Sequence, residues 1–149
     1  MTNASWQRIL LLLEENESFI KLMPSLEPSP RAKLCSESAH FMVGHLTSAQ
    51  AAWLPLMRAI RDGKTKGTVP NNPNPLFTKL GLQTMRWEAL VEKFVTDRSE
   101  WRQMLEQIDL NHELLTSKRI WTAQTLTQRM VLHERNHLGV HSDAKGEKM

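Results

Sequence analysis

The chain has 149 residues with a net charge of +3; 40% of them are hydrophobic, with five tryptophans, eight methionines, six glycines and no tyrosine. That length suits one domain with a core of its own, and that apolar fraction excludes disorder throughout. The 19 basic residues are scattered among 16 acidic ones instead of forming the concentrated face that nucleic-acid binding needs, and a composition rich in Met and poor in β-branched runs predicts an all-α fold.

Four helical segments follow from apolar spacing. The first runs from about Ser5 to Met23, where Trp6, Ile9, Leu10, Leu13, Phe19, Ile20 and Met23 form a stripe, and Pro24 ends it. The apolar run Ile9 to Leu13 is short, and Glu14, Glu15 and Glu17 follow it, so it is neither a signal peptide nor a membrane span. Cys35 is the single cysteine; no intrachain disulfide can form, which suits a cytoplasmic protein, and no activating partner marks it as a nucleophile.

The second helix starts either at Ser29-Pro30, as a cap and first-turn proline, or at a Ser38 cap. It carries Phe41, Met42, His45, Leu46, Ala49, Trp53, Leu56, Met57 and Ile60 and stops at Asp62-Gly63, with a kink expected at Pro55. Residues 63 to 81 read as a long connection in which Pro70, Pro73 and Pro75 oppose regular helix. A connection of that length carries the chain from one end of a bundle to the other, so helices two and three run parallel.

The third helix spans about Gln83 to Asp109, with Trp87, Phe94, Trp101 and Ile108 repeating every seven residues beside Leu90, Val91, Met104 and Leu105. A polar connection with Asn111 and Ser117 follows. The fourth helix starts near Thr122 or Thr125 and carries Leu126, Met130, His133, His137 and Val140. The expected organisation is a single domain over residues 1–141 with a polar tail over 142–149.

His133-Glu134-Arg135-Asn136-His137 is the most informative stretch. Residues four apart lie on one helix face, and this face also carries Leu126 and Met130, so it points inward. Burying two imidazoles costs free energy unless each finds a partner, which one metal ion supplies to both; two core histidines bonded to side chains or water are the plainer alternative. His45, on another apolar helical segment, is the candidate third ligand. His141 lies eight residues from His133, about 12 Å along a helix, too far to share an ion with ligand bonds of about 2 Å. His40 is turned from His45 on the helix, and His112 falls in a connection, so both read as ordinary polar residues. The His-Glu-x-x-His string matches the zinc-protease motif, but the downstream spacing fails the extended form, and Glu134 points about 100° from His133. It reads as a supporting or exposed residue. Trp53, two turns from His45, is the best pocket residue among Trp53, Trp87 and Trp101, although all three also read as core.

Ser38-Ala-His-Phe-Met-Val-Gly-His45-Leu46, the long crossover, and Leu132-His133-Glu134-Arg135-Asn136-His137-Leu138-Gly139, in that order, make the chain resemble the DinB/YfiT-like family of metal-binding four-helix bundles over nearly its whole length. The resemblance implies a four-helix bundle with a crossover between helices two and three, with His45, His133 and His137 as ligands of a divalent zinc, nickel or manganese ion. It also implies homodimers and small-molecule substrates. Among relatives of this kind are thiol transferases using bacillithiol, mycothiol or glutathione, and a maleylpyruvate isomerase. The chain departs in Leu46-Thr47-Ser48-Ala49-Gln50, which lacks the acidic residue some relatives place there. The expected function is therefore a metal-dependent transferase that activates a small-molecule thiol, with a metal-dependent hydrolase or a non-catalytic metal- or ligand-binding module as alternatives.

Overall fold

A computed structural model of the chain describes residues 1–23, 39–68 and 74–140. The two expected starts of the second helix, Cys35, His141 and the polar tail lie outside these residues. Helix α1 (Asn3–Leu22) opens with the Thr2 hydroxyl accepting a hydrogen bond from the Ser5 amide, which satisfies one of the free donors of the first turn. Helix α2 (Ala39–Arg61) continues through Pro55, which lies on the exposed side. Helix α4 (Trp87–Gln107) and helix α5 (Ala123–Leu138) complete the bundle. Thr122 and Thr125 both matter at the start of α5: each side chain bonds the other's backbone amide in a reciprocal cap. Gly139, at φ 70°, ends the helix in a left-handed conformation that suits glycine.

Two core clusters fix the topology. One joins Trp6, Ile9 and Leu13 of α1 with Leu56, Met57 and Ile60 of α2, Trp101 and Met104 of α4, and Leu126 and Met130 of α5. The other joins Ile20 of α1 with Met42, Val43 and Leu46 of α2, Leu90 and Phe94 of α4, and Leu138 of α5. The start of α1 therefore lies level with the ends of α2 and α4 and with the start of α5. Helices α2 and α4 run parallel to each other and antiparallel to α1 and α5, the arrangement expected from the crossover. His40 bonding the Met85 carbonyl, Gln50 the Phe94 carbonyl and Arg58 the Glu100 carboxylate mark the same parallel course along the α2–α4 contact.

The crossover differs from its expected form. It contains a short helix α3 (Asn74–Lys79) and a 3-10 turn over Leu82–Thr84. Pro75 occupies the first turn of α3, where its missing amide hydrogen has no intrahelical partner to lose. The third long helix starts at Trp87, four residues later than its spacing predicts, because Leu82 to Met85 form the tighter turn instead. The connection after α4 is also more than a polar loop. Leu114–Leu115 (β1) and Ile120–Trp121 (β2) pair antiparallel, and buried Leu114 and Trp121 join the core cluster that contains Trp6, Trp101 and Leu126. Lys66 bridges to Leu115, tying the crossover to this hairpin. Among the described residues, no helix is long and apolar enough to cross a membrane.

Candidate metal centre

The antiparallel packing of α2 on α5 sets His45 opposite the two histidines of α5. The ring centroids of His45 and His137 are 4.6 Å apart, those of His133 and His137 4.7 Å, and those of His45 and His133 5.2 Å. One nitrogen from each ring lies within 4.8 Å of one from each of the others. Nitrogens around one tetrahedral ion, with bonds of about 2.0–2.1 Å, sit about 3.4 Å apart, so the set is close to the spacing that one ion requires.

The chemistry of the three rings also fits a cation. His133 Nδ1 is buried and has no hydrogen-bond partner, a costly state for a ring nitrogen unless something occupies it. Burial, reinforced by repulsion from His137, His45 and Arg129, pushes the His133 pKa down to about 4. The ring is therefore neutral at physiological pH and offers a lone pair, the form that binds metal. His137 lies in the last turn of α5, where the helix dipole favours positive charge. All three imidazoles are only half-buried, which leaves the cluster reachable from solvent. His45, His133 and His137 could thus hold one metal ion.

The other histidines serve elsewhere among the described residues. His40 Nε2 meets the Met85 carbonyl at 2.6 Å, and His112 Nε2 meets the Lys64 carbonyl at 2.6 Å. Trp53 stands roughly perpendicular to His133, with ring centroids 5.7 Å apart at 76°, and also packs on the core cluster that contains Trp101 and Leu126. Trp101 is fully buried and donates to the Thr127 hydroxyl at 3.0 Å, so it is core. Trp87 is half-buried beside His40.

Glu134 is neither exposed nor aimed at the histidines. It is buried and ion-paired with the buried guanidinium of Arg98. Its other oxygen accepts from Asn16 Nδ2 at 3.0 Å. Burial raises this carboxyl's pKa above the ordinary carboxylate range, with the Arg98 guanidinium and the Asn16 amide opposing that shift. Arg98 Nε also donates to Gln50 Oε1 at 2.6 Å, and Arg98 Nη1 to the Leu13 carbonyl at 3.1 Å. Gln50 and Asn16 in turn donate to the Phe94 and Val131 carbonyls, and Arg135 donates to Asn16 Oδ1 at 2.9 Å. The stretch after His45 thus supplies Gln50 to this network. Thr47 and Ser48 donate to the Val43 and His45 carbonyls of their own helix. Sequence reading missed Arg98, Asn16 and Gln50 as a set. The available signal was a polar residue standing on an otherwise apolar stripe: Arg98 between Phe94 and Trp101, Asn16 between Leu13 and Ile20, and Gln50 between Leu46 and Leu54.

No curated protein and no solved structure gives a match to the chain. The sequence does match the DinB superfamily over residues 4–140, a span that takes in all four long helices, the crossover and all three clustered histidines, and the chain belongs to that superfamily.

Proposed function

We propose that the protein is a divalent-metal-dependent transferase that activates a small-molecule thiol, with His45, His133 and His137 as the metal ligands. The observation that carries this reading is the convergence of three half-buried imidazoles from two helices, one of them with an unpartnered buried nitrogen. A divalent ion held there, whether zinc, nickel or manganese, supplies Lewis acidity that lowers a thiol's pKa and favours the nucleophilic thiolate. The chain's own groups do the rest. His133 stays unprotonated at neutral pH, and Trp53 places an apolar ring beside it. Glu134 is held by Arg98 and Asn16, so it offers no base to a water in the manner of a zinc protease. This favours a nucleophile that is acidic in its own right over water. A small electrophile is the second substrate in this proposal; the family resemblance adds a homodimeric assembly, and the single cysteine a cytoplasmic setting.

Turnover assays test it. Protein loaded in turn with zinc, nickel and manganese is incubated with glutathione, bacillithiol or mycothiol and a chlorinated dinitrobenzene. Thiol conjugation that depends on metal and disappears in His45→Ala supports the transferase. Metal-dependent ester hydrolysis without thiol replaces it with a hydrolase, and metal binding without either turnover leaves a non-catalytic module.

A further inference from the structure

The buried Arg98–Glu134 pair lies outside the reaction proposed above, and stability alone gives no reason for it. Replacing a buried ion pair with apolar side chains of similar volume is often neutral or stabilising, and the surrounding core is already apolar. What the pair adds is direction, which hydrophobic contacts lack.

Its position makes that direction consequential. Glu134 sits between the two histidines in sequence and about 100° round the helix from His133. Hydrogen bonds from α1 and α4 hold its two oxygens. The same Arg98 guanidinium reaches Gln50, five residues beyond His45 on α2. One side chain of α4 therefore connects the helix bearing His45 to the helix bearing His133 and His137. With side chains, a helix has a radius of about 5–6 Å, so a 20° rotation of α5 moves its ring nitrogens by about 2 Å. Metal ligands tolerate departures of only about 0.2 Å from their ideal distances.

We infer that Arg98 and Glu134, with Asn16 and Gln50, are positioning residues for the three-histidine cluster: they set the rotation of α5 and its spacing from α2 so that the imidazoles meet. This inference rests on the metal-binding reading of the cluster but not on the thiol-transfer reaction.

The test separates metal affinity from folding. The Arg98→Met/Glu134→Leu variant removes both charges together and avoids leaving one buried alone. Zinc affinity is measured by competition with a chromophoric chelator, thermal unfolding is followed by circular dichroism, and the visible absorption of the cobalt(II)-loaded protein reports ligand geometry. The expected result is a folded variant whose zinc affinity is weaker by about ten- to a hundredfold and whose cobalt spectrum is altered. Should the double variant not fold, Arg98→Lys is read in the same way. It keeps the charge but loses the planar fork that reaches Gln50, Leu13 and Glu134 at once, and it is expected to bind zinc about tenfold more weakly. A folded double variant or Arg98→Lys protein with parental affinity and an unchanged cobalt spectrum overturns the positioning role. A parent protein that binds no zinc, cobalt, nickel or manganese overturns both this role and the metal reading. Metal binding without thiol transfer overturns only the proposed reaction.

Discussion

Lowering the pH of the metal-free protein should destabilise it in a window set by His133. Its pKa is about 4 in the folded chain against an ordinary value of 6.5. Between those values the unfolded chain binds the proton and the folded chain does not, so stability is full above pH 6.5 and falls as the pH drops towards 4. The difference of 6.5 − 4 = 2.5 units corresponds at most to about 3.4 kcal/mol at about 1.36 kcal/mol per unit. The ring is partly open to solvent, and screening reduces the expected loss to about 2 kcal/mol. Urea unfolding of the chelator-treated parent and of His133→Gln at pH 7, 6, 5 and 4 isolates this contribution. The parent should lose about 2 kcal/mol more than the variant across that range. Parallel curves for the two proteins would show that burial does not hold the ring neutral, and the physical case for an unprotonated ligand would go with it.

Three further outcomes follow from the packing. Arg98→Met alone leaves the Glu134 carboxylate buried without its guanidinium and should cost about 3–5 kcal/mol in urea unfolding; a loss below about 1 kcal/mol would show the pair to be far less desolvated than its burial implies. Glu100→Gln breaks a two-pronged ion pair with Arg58 on the surface and should cost less than about 1 kcal/mol, with the effect shrinking as salt is added. At Gly44, an added Cβ would lie 2.8 Å from the Phe77 ring of α3. Overpacking of about 1–3 kcal/mol outweighs the helix-propensity gain of about 1 kcal/mol from Gly44→Ala, so unfolding should show a net loss of about 1 kcal/mol, and a stabilised variant would contradict the close α3–α2 contact.

Much of this arrangement is legible in the sequence, and what is not has physical causes. The long helices declare themselves through stripes such as Ile9–Leu13–Ile20 and Leu90–Phe94–Trp101, because burial follows the helical period. The histidine cluster is legible because His133 and His137 keep i, i+4 spacing on an inward face and His45 interrupts another apolar stripe. Helix α3 is hidden by Pro75, which reads as a breaker yet occupies the one part of a helix that accepts it. The hairpin is hidden because its two-residue strands carry no period to detect. The buried network is the largest omission. No local motif marks Arg98 or Gln50 before the fold brings them together, and Glu134, which reads as supporting or exposed, carries a misleading motif besides. Local spacing indicates which residues face inward but not which distant side chain will satisfy a buried charge.

Metal analysis of the purified protein, repeated on His45→Ala, His133→Ala and His137→Ala with folding checked by circular dichroism, tests most directly whether three histidines from two helices share one ion. The parent is expected to hold one divalent ion per chain, and each folded variant to lose it or bind it at least a hundredfold more weakly. Undiminished binding in any one of the three would remove that residue from the centre, and the shared site would fail with it.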